Sequence, residues 1–109
     1  MRIAICDDDA ACVGQVRTIA GQYAAGRTDR SFLLDGFTHP DDLMEAAEKI
    51  GGYDIYILDI VMPDMNGIAL GAKLRDAGYD GKIICLTASE EYSLAAFRVR
   101  AFDYLIKPI

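Results

Sequence analysis

The sequence lacks any apolar run near the ~18 residues that a membrane-spanning helix needs, and its first residues lack the pattern of a signal peptide. An acidic triplet, Asp7-Asp8-Asp9, follows the first short apolar run too early for secretion. We therefore expect a cytoplasmic protein that does not bind membranes. Basic residues are also few, since 11 of them against 17 acidic ones give a net charge of −6. Phosphate-backbone recognition requires a basic surface, so we expect no direct binding of nucleic acid by this chain.

Cysteine and histidine, which form most zinc and redox sites, are scarce. The three cysteines, Cys6, Cys12 and Cys85, form an odd set without CxxC spacing, and each lies in an apolar segment. We interpret them as reduced core residues rather than as metal ligands or redox centres. The single histidine, His39, precedes a predicted helix, and a solvated or capping role is favoured for it.

The 109 residues, 52% of them hydrophobic, correspond to one globular domain with a single core. Short apolar runs alternate with amphipathic stretches, which is typical of βα units around a parallel sheet. The pattern predicts strands over residues 2–6, 31–37, 53–59, 82–87 and 103–106. It predicts helices between Asp9 and Gly26 and over residues 40–50, 68–77 and 90–98.

Polar residues stand at the carboxyl ends of these strands, where an open parallel sheet binds its ligands. They are Asp7 and Asp8 after the first strand, Asp59 after the third, Thr87 after the fourth and Lys107 after the fifth. If strands one and three are neighbours, their ends lie ~5 Å apart and the three aspartates gather. Two carboxylates ~4 Å apart repel by about 4 kcal/mol in a protein-like dielectric. A hard divalent cation relieves this repulsion at neutral pH, and Mg²⁺ is the candidate.

Such a cluster suits phosphoryl chemistry. An aspartate beside a divalent cation can attack phosphorus and form an acyl phosphate. Lys107 supplies a positive charge for one phosphoryl oxygen, and the Thr87 hydroxyl can donate a hydrogen bond to another. Taken singly, each residue also has a structural explanation, such as a helix cap for Asp9 or a turn for Asp59. Their joint occurrence at the strand ends favours phosphoryl transfer.

Several motifs follow one another along the chain: Asp7-Asp8, Ile57-Leu58-Asp59, Met62-Pro63, Asn66-Gly67, Leu86-Thr87-Ala88 and Tyr104-Leu105-Ile106-Lys107-Pro108. In this order and spacing they resemble the receiver domain of two-component response regulators, and the resemblance spans the whole chain. It implies a flavodoxin-like (CheY-like) α/β three-layer sandwich with a five-stranded parallel sheet in the order 2-1-3-4-5.

The resemblance also implies roles for the site residues. Asp59 would accept a phosphoryl group from a sensor histidine kinase, with Mg²⁺ as the cofactor. Asp8 would bind the ion directly and Asp7 mainly through water, while the backbone carbonyl of Val61 would complete the protein's share beside Asp59. The chain would not be an enzyme beyond its own phosphoryl transfer and autodephosphorylation.

Signal output is implied by the same resemblance. Thr87 and Tyr104 match the family's switch pair, in which the hydroxyl moves toward the phosphoryl group and the aromatic ring follows. A cis Lys107-Pro108 peptide bond would turn the lysine side chain into the site. The output face would be the fourth helix and fifth strand, the region where Phe97, Arg98, Val99, Arg100 and Phe102 lie.

Residues 96–109 look like receivers of the LytTR class, in which a receiver precedes a DNA-binding effector that regulates transcription. We expect that effector to lie outside this chain. The family's final helix is absent, so we expect residues 1–109 to be a receiver truncated after strand five. The face left open would be apolar and could support self-association.

Two other functions remain open. A haloacid-dehalogenase-type phosphatase also uses an aspartyl phosphate, but Ala11 stands where its threonine is expected, and there is no cap domain. The other is a receiver-like interaction module that works without phosphorylation. Against it stands the complete set Asp7, Asp8, Asp59, Thr87 and Lys107.

Overall fold

The computed structural model describes residues 1–25, 33–62, 65–88 and 99–107. Its strands are β1 (Arg2–Cys6), β2 (Leu33–Phe37), β3 (Ile55–Asp59), β4 (Lys82–Thr87) and β5 (Ala101–Ile106). The helices in the described ranges are α1 (Ala10–Ala25), α2 (Pro40–Ile50) and α3 (Gly67–Asp76). All strand pairs are parallel, and the sheet order is β2-β1-β3-β4-β5, which confirms the predicted topology.

Side chains alternate between the two faces along each strand, so both faces of this parallel sheet carry apolar side chains. Helices cover both faces. On one face, the buried core joins Ala4 and Leu58 of the strands to Leu43 of α2 and Leu70 of α3. On the other face, Ile5 and Ile57 pack against α1. The three-layer arrangement is thus confirmed. No helix in the described part of the chain is both long and apolar enough to cross a membrane.

The helix starts follow the local sequence. The Asp9 carboxylate accepts a hydrogen bond from the Ala11 N–H at 2.9 Å and so caps α1. His39 caps α2 by accepting from the Asp41 N–H at 3.3 Å, which confirms the capping role. Asn66 caps α3 by accepting from the Ala69 N–H at 2.8 Å.

Two strands begin at other residues than predicted. β3 begins at Ile55 instead of residue 53, because the Tyr53 N–H donates to the Tyr56 hydroxyl at 2.7 Å rather than to a neighbouring strand. β5 begins two residues early, at Ala101, which pairs with Ile83 across a register shift. The predicted helix over residues 90–98 lies outside the described residues, as do Pro108 and its peptide bond.

An apolar groove lies between α1 and the sheet. Its lining has no polar surface and consists of Val16, Ile19, Ile57, Ile84, Leu86 and Leu105. This groove fits the expectation of an apolar surface on this face, while self-association through it stays a prediction.

Candidate functional site

The sheet register brings the predicted site residues to one edge. Cys6 of β1 pairs with Leu58 of β3. The residues that follow them, Asp7 and Asp59, therefore stand next to each other at the ends of the two strands. Further along the same edge, Thr87 of β4 pairs with Ile106 of β5, directly before Lys107. The spatial gathering that the strand ends predicted is therefore confirmed.

Three carboxylates form an acidic cluster at this edge. One oxygen from each of Asp7, Asp8 and Asp59 lies within 4.8 Å of the others. Asp7 and Asp59 are buried, with 0% and 4% of their surface exposed, whereas Asp8 is exposed to solvent. The cluster thus has two buried members and one member at its mouth.

Lys107 is the cation that faces this cluster. Its Nζ lies 2.8 Å from Asp7 Oδ2 and 3.4 Å from Asp59 Oδ1. Burial alone would lower the pKa of Lys107, but the hydrogen bond to Asp7 and the charges of both carboxylates raise it to about 12. The ammonium is therefore charged at neutral pH, and it offsets one of the three negative charges.

The two buried carboxylates differ in acidity. Burial, reinforced by the charge of Asp7, raises the pKa of Asp59 from 3.8 to about 6. Burial also acts on Asp7, but hydrogen bonds from Cys12, Lys107 and the Asp9 N–H outweigh it and lower the pKa of Asp7. Asp7 is thus a fixed anion, whereas Asp59 has the higher proton affinity of the two.

Cys12 is a site residue that the sequence interpretation missed. Its thiol, in the first turn of α1, hydrogen-bonds to the Asp7 carboxylate. The Asp9 N–H donates to Asp7 Oδ1 at 2.9 Å. A thiol five residues after a strand-terminal aspartate is a weak signal, because only the turn between β1 and α1 makes the two meet.

The interpretation of the cysteines as core residues is confirmed. Cys6, Cys12 and Cys85 are all buried and free. Burial is the largest cause that raises the pKa of Cys6 to about 12 and that of Cys12 and Cys85 to about 11. These thiols are therefore protonated at neutral pH and are poor nucleophiles.

The predicted switch residues lie on adjacent strands. Thr87 is fully buried, and its carbonyl accepts a hydrogen bond from the Lys107 N–H at 2.7 Å. Tyr104 is half-buried on β5, opposite Cys85. This backbone hydrogen bond links Thr87 directly to Lys107, whose ammonium contacts Asp7 and Asp59. Their exchange of position stays a prediction.

The loop after β3 is held close to the site. Ile60 N–H donates to the Leu86 carbonyl at 3.1 Å, and the Ile60 carbonyl accepts from the Gly67 N–H at 2.8 Å. Val61, whose carbonyl is predicted to bind the metal, follows directly and has an exposed side chain. A Cβ on Gly67 would overlap the carbonyl oxygen of Asp59, so glycine is what lets α3 begin there.

The cluster fits a hard divalent cation. Three carboxylates against one ammonium leave an excess of negative charge, and all the available ligand atoms are oxygens. Mg²⁺ is bound in this way by a few carboxylates while it keeps several waters. The exposed position of Asp8 leaves room for those waters.

Residues 3–109 match the sequence pattern of the response regulator receiver domain. The transcriptional regulatory protein LytR of Staphylococcus aureus (strain N315) is 36% identical over 90 residues, which cover 75% of this chain and 37% of LytR. The probable transcriptional regulatory protein SilR of Salmonella typhimurium is 35% identical over 113 residues, covering 99% of this chain and 45% of SilR. The chain thus spans less than half the length of these relatives.

Among solved structures, the response regulator protein TrrA of Thermotoga maritima, in complex with Mg²⁺-BeF, has a TM-score of 0.79 with this chain at 25% identity. The superposition covers 99% of this chain and 87% of TrrA. The BeF₃-activated receiver domain of RstA from Klebsiella pneumoniae has a TM-score of 0.82 at 22% identity, covering 100% of this chain and 87% of that one. These likenesses agree with the strand order and layers of the fold.

Proposed function

Since this chain belongs to the response regulator receiver domain family, we propose that Asp59 accepts a phosphoryl group from a sensor histidine kinase. The observation that carries the proposal is the placement of Asp59 at the end of β3, beside two further carboxylates and 3.4 Å from the Lys107 ammonium. The chain is a signalling domain, and its own autodephosphorylation is part of the proposal.

The nucleophile is an Asp59 carboxylate oxygen. Its pKa of about 6 leaves it mostly ionised at neutral pH, so a lone pair is available for attack on phosphorus. A new O–P bond forms as the bond between phosphorus and the donor nitrogen of the kinase breaks, and the electron pair leaves with that nitrogen. Lys107 lies where it can bind an oxygen of the transferred group, and the Thr87 hydroxyl is proposed to donate to another.

Asp7, Asp8 and Asp59 would hold Mg²⁺, with the carbonyl of Val61 as the fourth proposed protein ligand. The ion would offset the negative charge of the phosphoryl oxygens. Asp7 is suited to a fixed anionic role, since three donors lower its pKa. Asp8 is exposed, so it can bind the ion at the mouth of the cluster.

Phosphorylation would shift a two-state equilibrium, because the added charge binds Lys107 and Thr87 more strongly in one arrangement. Thr87 and Tyr104 would be the switch pair, and β5 would carry the change toward the output face. The effector of the parent protein is proposed to be a DNA-binding domain of the LytTR class. Residues 1–109 would then be its receiver, and a cytoplasmic location stays a prediction.

Intact-mass measurement after treatment with acetyl phosphate and Mg²⁺ tests this function. The chain is expected to gain one phosphoryl group, and Asp59→Asn is expected to gain none, because an amide is not a nucleophile toward phosphorus. Asp41→Asn, at an exposed aspartate of α2, is the matched control and should gain the group. No gain by the unmodified chain would instead support the interaction module that needs no phosphorylation.

A second prediction concerns the acidity of Asp59. Its folded pKa of about 6 exceeds the ordinary aspartate pKa of 3.8, so the folded state binds more protons between these pH values. In EDTA, Asp59 therefore lowers the free energy of unfolding as pH rises from about 4 to about 6. We expect Asp59→Asn to be more stable than the unmodified chain by about 1–3 kcal/mol at about pH 7.5 and by little at about pH 4.

Urea unfolding of both proteins in EDTA at the two pH values measures this difference. Adding Mg²⁺ should stabilise the unmodified chain more than Asp59→Asn, because bound ligand stabilises the folded state. A stability difference that stays the same at both pH values would contradict the raised pKa.

A further inference from the structure

The side chain of Arg75, in α3, joins two backbone segments at the end of the sheet opposite to the acidic cluster. Its guanidinium donates to the carbonyls of Tyr79 and Gly81 at 2.9 and 2.7 Å, ahead of β4. It also donates to the carbonyls of Val99 and Arg100 at 3.0 and 3.2 Å, ahead of β5. Because a guanidinium is planar and its donors point in set directions, these four contacts fix the start of β5 relative to the start of β4.

Arg100, the last residue before β5, adopts a backbone conformation that is unfavourable for its residue type. Its φ of 56° is the only positive value at a non-glycine residue among the described ranges. Such conformations persist only where the surrounding contacts enforce them. Here Arg75 binds the carbonyls of Arg100 and of the preceding Val99. The turn into β5 is therefore held by Arg75 against the preference of its own residue.

β5 contains one extra residue directly after this turn. Ala101 and Asp103 pair with consecutive residues of β4, so Phe102 is the extra residue of a bulge. Ala101 and Tyr104 consequently pack against the same core cluster, although residues three apart in a regular strand point to opposite faces. The bulge thus decides which face of the sheet each later residue of β5 occupies.

The same register decides which side chain reaches the acidic cluster. With the bulge, Ile106 pairs with Thr87, and the N–H of Lys107 donates to the Thr87 carbonyl at 2.7 Å. Without the extra residue, every later residue of β5 would move by one position, and Ile106 would take the place of Lys107. An apolar side chain would then replace the ammonium that lies 2.8 and 3.4 Å from the two buried carboxylates.

Burial specifies this register only weakly. β5 is an edge strand of the sheet, and each of its six residues is exposed or half-buried. Strands that bury neither face are prone to slip, since no large apolar area is lost when their side chains exchange faces. A contact at the start of the strand is therefore needed to select one register.

We propose that Arg75 is a positioning residue for Lys107. By fixing the start of β5, it selects the register in which Lys107, and not Ile106, faces the acidic cluster. About 20 Å of β5 separates the two residues, so the effect acts through the strand and not by direct contact. This role deepens the proposed function and rests on it, because Lys107 is the proposed partner of a phosphoryl oxygen.

A double-mutant cycle in EDTA tests whether the two residues are coupled. The shift in urea midpoint caused by Lys107→Met is measured in the unmodified chain and in Arg75→Met, which keeps an unbranched side chain but has no donors. Independent sites this far apart give additive shifts. We expect the shift to fall to less than about half in Arg75→Met. Lys73→Met, at an exposed lysine of the same helix, is the matched control and should leave the shift unchanged.

Amide hydrogen exchange separates positioning from a general loss of stability. The Lys107 N–H donates to the Thr87 carbonyl at 2.7 Å, and the Ile60 N–H donates to the Leu86 carbonyl at 3.1 Å at the same edge of the sheet. A changed register of β5 breaks only the first bond. The ratio of the exchange rate at Lys107 to that at Ile60 should therefore rise about tenfold in Arg75→Met. Arg75→Lys, which keeps the charge and some donors, should give an intermediate ratio.

Additive midpoint shifts, or an unchanged ratio of exchange rates, would overturn the role of Arg75, because it would then stabilise the fold without placing Lys107. If Arg75→Met does not fold, Arg75→Lys decides in the same two measurements. Neither measurement involves phosphoryl transfer, so each gives its answer even if the unmodified chain gains no phosphoryl group. If that chain does gain the group, Arg75→Met should gain it at least about tenfold more slowly than Lys73→Met.

Discussion

Replacement of Lys107 with methionine is expected to lower the free energy of unfolding by about 2–3 kcal/mol at about pH 7.5 in EDTA. The ammonium contacts both buried carboxylates, at 2.8 Å for Asp7 and 3.4 Å for Asp59. Its removal leaves these charges in a buried position without their cation. Methionine keeps an unbranched apolar side chain, so the decrease in the free energy of unfolding measures the effect of removing the positive charge. The side chain of Lys107 is 26% exposed, so the loss stays below that of a fully buried pair.

The pH dependence of this loss identifies its cause. At about pH 5 a proton on Asp59, whose pKa is about 6, removes one of the unpaired charges, so the loss in Lys107→Met should shrink. Mg²⁺ at neutral pH should also reduce it. Urea unfolding followed by circular dichroism measures both effects. Lys49→Met is the control, because Lys49 is exposed and its 3.2 Å pair with Glu45 contributes less than about 0.5 kcal/mol. A loss no larger than that of the control would contradict the role of Lys107.

The predicted strands agree with the structure where burial alone decides their ends. β1 and β4 begin and end at the predicted residues, because each contains a short apolar run, residues 3–6 and 83–86, with a polar residue directly before and after it. β3 and β5 differ because contacts distant in sequence decide their starts. At Tyr53 the N–H is taken by a side-chain hydroxyl, and at Phe102 a bulge shifts the register with β4. Neither effect follows from local hydrophobic pattern.

The charged residues of the site could be predicted, whereas Cys12 and the different acidities of the two buried carboxylates could not. Strand ends in a parallel sheet must lie at one edge, so the sequence positions of Asp7, Asp59 and Lys107 imply their contact once the strand order is known. The opposite shifts of the two buried carboxylates have another origin. Asp7 receives hydrogen bonds from Cys12 and the Asp9 N–H in addition to Lys107, and these depend on the turn into α1.

Gly67→Ala is expected to destabilise the chain by about 3 kcal/mol or more. Gly67 is buried at the start of α3, where its missing side chain lets the helix approach the backbone of Asp59 and Ile60. A methyl group there would overlap the Asp59 carbonyl oxygen, which is backbone and cannot turn away as a flexible side chain can. The helix must therefore shift away from β3 or displace the end of that strand. In either case the geometry around Asp59 changes, so phosphoryl gain should fall together with stability.

Gly14→Ala provides the matched control, because the same methyl group meets nothing within 4 Å at that position in α1. It should stabilise the chain by about 0.5–1 kcal/mol, since alanine is the better helix former. Neither effect comes from a left-handed backbone, as the described glycines with positive φ are Gly51, Gly52 and Gly78. Urea midpoints of the two variants should therefore move in opposite directions. Midpoints that move alike would mean that the approach of α3 to β3 is not what requires glycine beside Asp59.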